Sequence, residues 1–114
     1  MSDKEGVANL VFGEKDNGGL VQVPRGSKVT VQLPENPTTG HQWMIDSSDE
    51  SMLAREGDAF LTGQQLGLGA AGVRQFFFRA KGSGCTSLSF INKRVGPSRS
   101  EAAGAFKLAV QIVK

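Results

Sequence analysis

Large apolar residues hold every second position near the C-terminus, where Phe106, Leu108, Val110 and Ile112 are separated by Lys107, Ala109 and Gln111. A two-residue period is that of a strand with one face in a core, and it does not fit an amphipathic helix. The period recurs at Val29, Val31 and Leu33, so 28–33 and 105–113 are predicted as strands with these residues inward. In 85–91, Leu88 and Phe90 are expected to face the core, with Ser87 and Ser89 on the other side. Phe76, Phe77 and Phe78 are consecutive, which predicts contact on both faces and therefore an interior strand over 73–80.

Shorter strands are expected at 7–12, 20–23 and 41–46, with a less regular one over 52–61. Fifteen glycines and four prolines are spread along the chain, which calls for many turns between short strands. The turn-rich stretch 14–19 is expected to make a hairpin-like reversal. The polar residues 47–53 hold at most one helical turn. Stretches 62–72 and 92–104 read as surface loops. The expected fold is all-β, an antiparallel sandwich of seven or eight strands resembling the immunoglobulin architecture, in one domain over 1–114.

A chain of 114 residues can bury a real core without disulfides or a structural metal. The balance of 13 Lys plus Arg against 11 Asp plus Glu gives a net charge of +2, too small to make nucleic acid or a membrane the main partner. Residues Met1 to Gly6 lack the apolar core of a secretory signal, and no apolar run is long enough to span a bilayer as a helix. A cytoplasmic location is expected if the chain is complete as given, and a vesicular or secreted one if a signal has been removed.

Cys85 and His41 are the only thiol and imidazole, so a thiol hydrolase would need both. Cys85 opens an apolar strand after a turn, where a buried packing thiol is expected. His41 has no second histidine to share a metal and is read as support for Trp43 or the adjoining loop. Asp46, Asp49, Glu50, Glu56 and Asp58 lack the spacing of a calcium loop and are read as a solvated surface. Gly67, Gly69 and Gly72 are not followed by the lysine and helix of a phosphate loop. Lys93, Arg94 and Arg99 lack the interleaved aromatics of a nucleic-acid site. No cofactor, metal or catalytic residue is therefore expected.

The stretch Asn36-Pro37-Thr38-Thr39-Gly40-His41-Gln42-Trp43 remains. Pro37 fixes its own φ and drives Asn36 to an extended conformation, the two threonines are stiff at Cβ, and Gly40 permits a left-handed turn. A short rigid loop is predicted, with Trp43 anchoring its exit. The order Asn36 to Gly40, two residues and then Trp43 resembles the hallmark motif of the chagasin-type inhibitors of papain-like cysteine peptidases. Glu50-Ser51-Met52, Gly69-Ala70-Ala71-Gly72 before an aromatic strand, and Gly96-Pro97-Ser98 before the last strand extend the resemblance over most of the chain.

The resemblance implies a sandwich carrying three loops at one end, which together block a peptidase cleft. The residues it assigns to peptidase binding are Asn36, Pro37, Thr38, Thr39, Gly40 and His41, then Leu66, Leu68, Gly69, Ala70, Ala71 and Gly72, then Asn92, Lys93 and Arg94. The implied partner is a papain-like, cathepsin-like peptidase of the same organism or a host, met by an inhibitor that is monomeric when free. Three positions depart from the family pattern: His41 replaces a tyrosine or phenylalanine, Ala71 a glycine, and Asn92-Lys93-Arg94 an arginine-proline-aromatic group. The alternative function is an immunoglobulin-like adhesion or ligand-binding module.

Overall fold

The alternating segments build two facing sheets. The computed structural model describes residues 8–36, 39–62, 72–94 and 104–114. Its strands are β1 (Asn9–Phe12), β2 (Leu20–Pro24), β3 (Lys28–Glu35), β4 (His41–Ser47), β5 (Leu53–Leu61), β6 (Gly72–Ala80), β7 (Gly84–Arg94) and β8 (Gly104–Val113). One sheet has the order β1-β3-β6-β5 and the other β2-β8-β7-β4. This is the expected sandwich, with eight strands among the described residues and only a single 3-10 turn, Glu14–Asp16, outside them.

The predicted inward residues meet across the two sheets. Val29, Val31 and Leu33 of β3 and Phe76 and Phe78 of β6 share a core with Leu88, Phe90, Phe106, Leu108, Val110 and Ile112, none more than 4% exposed. Phe90 joins the layers, with its ring centroid 4.8 Å from Phe76, 5.9 Å from Phe106 and 6.3 Å, edge-on, from Phe78. Each such aromatic pair adds about 0.5–1.5 kcal/mol beyond its area burial. β6 is an interior strand, and its outward Phe77 lies 4.7 Å beneath the Lys28 ammonium.

The hairpin expected at 14–19 does not form. β1 pairs with β3 and β2 with β8, both in parallel, so the first two strands extend different sheets. The segment between them crosses the sandwich instead of folding back. Asp16 Oδ2 accepts from the Gly13 N–H at 2.9 Å, the Gly18 N–H donates to Lys107 O at 2.7 Å, and Asn17 Oδ1 accepts from the Lys107 N–H at 2.9 Å. Leu10 and Phe12 cover one sheet's share of the core and Val21 and Val23 the other's, which rewards the split.

Two further expectations are corrected. Cys85 is exposed. The alternation that sends Leu88 and Phe90 inward puts odd-numbered residues of β7 outward, and Cys85 shares the face of Ser87 and Ser89. Residues 92–94 are not loop: β7 continues through them, paired with β4. The acidic residues Asp46, Asp49, Glu50, Glu56 and Asp58 are exposed as expected, and two of them are paired across β5 and β6, Glu56 with Arg79 at 3.2 Å and Asp58 with Arg74 at 3.3 Å. Asp49 caps the turn before β5, accepting from Ser51 Oγ at 2.6 Å and the Ser51 N–H at 3.0 Å, and these bonds hold its carboxyl below the ordinary aspartate value. The exposure of Cys85 predicts full modification by iodoacetamide in the native protein, with the thermal midpoint of the product unchanged. Protection until denaturant is added would contradict it.

Candidate functional site

The inward ladder of β3 does not stop at Leu33. Its next member is Glu35, at 6% exposure one of the few polar residues in the interior. A carboxylate there needs partners, because desolvation without them costs several kcal/mol. Arg74 donates from Nη2 to Glu35 Oε2 at 2.8 Å and from Nε to Oε1 at 3.3 Å. The Trp43 backbone N–H donates to Oε1 at 2.8 Å. Arg74 also reaches Asp58, and its guanidinium lies 5.3 Å from the Phe60 ring centroid. The bond to Glu35 is the leading cause that holds the Arg74 pKa above its ordinary value, with burial opposing it.

Glu35 therefore ties β3 of one sheet to β4 of the other at the place where the chain crosses between them. Trp43 makes a second tie, its indole Nε1 donating to Pro34 O at 2.8 Å while the residue is only 7% exposed. The loop between these fixed ends is closed by Thr39. Its hydroxyl donates to Asn36 O at 3.0 Å, its N–H donates to the same oxygen at 3.2 Å, and its Oγ1 accepts from the His41 N–H at 3.3 Å. His41 Nδ1 also lies 3.3 Å from Thr39 Oγ1. Gly40 follows with φ +80° in open space, so backbone conformation and not crowding calls for glycine there.

The other assigned residues lie around this loop. Gly72 faces Glu35 across the β3–β6 ladder. A Cβ on Gly72 would collide with the Phe60 ring and stand 2.8 Å from Leu61 O, so the position is closed to any side chain. In the second sheet Arg94 pairs with His41, Lys93 with Gln42 and Asn92 with Trp43. Asn36, Thr39, His41, Trp43 and Asn92 line one pocket of about 560 Å³. The registers put the ends of β3, β5 and β7 and the starts of β4, β6 and β8 at one end of the sandwich. Pro37, Thr38, Leu66, Leu68, Gly69, Ala70 and Ala71 lie outside the described residues. Among the described residues no cluster of three or more metal-ligating side chains occurs.

Residues 22–110 match the family described as Chagasin family peptidase inhibitor I42. The chain belongs to the chagasin family. It is 36% identical over 89 residues to Chagasin of Trypanosoma cruzi, covering 72% of this chain and 80% of that protein. A cysteine protease inhibitor from Entamoeba histolytica has the same fold, with a TM-score of 0.81 at 19% identity over 94% of this chain and 97% of that one. The solution structure of Amebosin gives 0.70 at 21% identity over 92% and 98%. The chagasin family consists of peptidase inhibitors, so the chain is an inhibitor and not an enzyme.

Glu35 and Arg74 were not among the residues singled out in the sequence, although the signal is there. Residues 29, 31, 33 and 35 share one phase, as do 74, 76 and 78, so each strand's apolar series ends in a charge of opposite sign. Breaking this pair is expected to be severe. Glu35→Ala leaves the Trp43 N–H without its acceptor and Arg74 with Asp58 alone, and should cost about 3–5 kcal/mol in urea unfolding. Glu35→Gln, which keeps an acceptor for Trp43, should cost less. Equal, small losses for both would show that the carboxylate is not structurally required.

Proposed function

We propose that this inhibitor of cysteine peptidases acts on papain-like enzymes by laying the loop 36–40 across the catalytic cleft without presenting a productively aligned peptide bond. The binding surface comprises that loop and His41, the stretch 66–72, and residues 92–94. The observation that carries this reading is the fixing of the loop 36–40 at both ends, by the Glu35 and Trp43 bonds at its base and by the Thr39 hydroxyl within it. A loop held in one geometry gives up little conformational entropy on binding, so more of its contact energy appears as affinity. Occlusion needs no group transfer.

The flanking connections, 62–71 and 95–103, spring from strand ends beside the loop and would widen the contact toward the roughly 1,600 Å² common in protease–inhibitor complexes. Asn92, Lys93 and Arg94 contribute from a strand. Their backbone is paired with β4, so Lys93 and Arg94 act as charges on a fixed rail. One copy of the chain suffices for this arrangement, and the free protein is expected to be monomeric.

Titration of papain with the protein should abolish peptidase activity at stoichiometric amounts, while a trypsin-like serine protease stays active. Persisting papain activity at micromolar inhibitor would rule the reading out. Thr39→Val keeps the branched shape but loses the hydroxyl that closes the loop. It should weaken inhibition by about tenfold, the equivalent of one modest hydrogen bond, with little change in thermal midpoint. Thr39→Asp should weaken it further, because its charge would be desolvated in the cleft. Undiminished inhibition by Thr39→Asp would remove the loop from the interface.

A further inference from the structure

Below the loop the inward ladders of the second sheet end in a gap. On β7 the inward positions run Leu88, Phe90 and Asn92, and on β8 their partners are Leu108, Phe106 and Gly104. The residue facing Asn92 therefore has no side chain. Neither crowding nor backbone conformation requires glycine there: a Cβ on Gly104 would stand 3.8 Å from Trp43 Cη2 and 3.9 Å from Asn92 Cβ, in ordinary contact. The gap belongs to the pocket of about 560 Å³, whose lining includes Pro34, Trp43 and Ala105 along with Asn92 and Glu14.

Asn92 Oδ1 is buried, and among the described residues no donor of the protein reaches it. A buried acceptor of this kind carries a desolvation cost, and native interiors hold few of them. Glu35 cannot offer a free oxygen to a visitor, since Arg74 and the Trp43 N–H already engage it. Glu14 sits at an exposed position of the same lining and supplies negative charge. An apolar wall, an unmet acceptor and a nearby carboxylate together match a side chain with an aliphatic stem and a cationic, N–H-bearing head.

We propose that this pocket is a subsite that receives a lysine or arginine side chain of the partner peptidase, its stem against Trp43 and Ala105 and an N–H on Asn92 Oδ1. The inference rests on the inhibitory reading above and adds to it a determinant of which peptidases are held tightly. Asn92 supplies the acceptor, Glu14 balances the charge, and the absence of a side chain at Gly104 supplies the room.

Two substitutions test it from opposite directions. Asn92→Leu deletes the acceptor at similar volume, and Gly104→Leu fills the gap. Asn92→Leu is expected to raise the thermal midpoint, because an unmet polar atom is removed, and both variants are expected to inhibit papain at least tenfold more weakly than the unaltered protein. A lower midpoint for Asn92→Leu would show the acceptor satisfied in the free protein and overturn the proposal. Unchanged inhibition by both variants would also overturn it, while leaving the inhibitory reading intact.

A direct probe is independent of any peptidase. Titration of n-butylguanidinium chloride should shift the Trp43 indole and Gly104 amide resonances saturably, n-butanol should not, and Gly104→Leu should abolish the response. Absence of a saturable shift in the unaltered protein would overturn the proposal even if papain is inhibited. Failure to inhibit papain would instead remove the inhibitory reading and leave this titration to decide the chemistry of the pocket.

Discussion

The buried carboxylate of Glu35 is the constraint on which the loop end of this sandwich depends. Apolar layers cannot hold two sheets together at their rim, where the strands diverge into connections and water approaches. A carboxylate engaged by Arg74 within its own sheet and by the Trp43 backbone in the other supplies directional bonds where hydrophobic contact runs out. Burying the pair has its own desolvation cost, and well-packed apolar residues can replace such pairs without loss of stability. Its presence here is therefore better explained by position than by stability: it fixes where β4 begins relative to where β3 ends, and hence the span that the loop must bridge.

Above that tie, loop geometry follows from short-range bonds. Thr39 acts through its hydroxyl on Asn36 and His41, and Gly40 turns the chain back with a positive φ. The local stiffness read from Pro37 and the threonines thus combines with anchoring that comes from the tertiary fold. The same polar layer continues to Asn92, which lies opposite Trp43 and faces Gly104. Glu35 is fully engaged, whereas among the described residues no donor reaches the Asn92 oxygen. One member of the layer fixes the structure, and the other is the acceptor of the proposed subsite.

The central strands were legible because their alternation is strict: Val29 to Leu33, Leu88 and Phe90, and Phe106 to Ile112 all point as their phase requires. The first two strands were legible as strands but their pairing was not, since β1 joins β3 and β2 joins β8, both in parallel, instead of pairing with each other. Turn-forming residues announce a change of direction but not the sheet the chain enters next. Cys85 was misassigned because residue type was weighed over phase, and the phase of Leu88 and Phe90 already put it outward. Asn92-Lys93-Arg94 has loop-like polarity but strand geometry, for pairing with β4 extends β7 beyond its apolar residues. Glu35 and Arg74 are the opposite case, polar residues holding inward phase at strand ends.

The three connections at the loop end differ in what they join. β5 and β6 belong to a single sheet, as do β7 and β8, whereas the stretch from β3 to β4 passes from one sheet to the other. The first two ride with their own sheet, but the third is stretched or slackened by any change in the distance between sheets. Phe76 of one sheet meets Phe90 of the other with ring centroids 4.8 Å apart, so the packing of this tilted pair helps to set that distance and with it the span bridged from Glu35 to His41. Repacking at that pair would then change the reach of the loop without altering a residue in it.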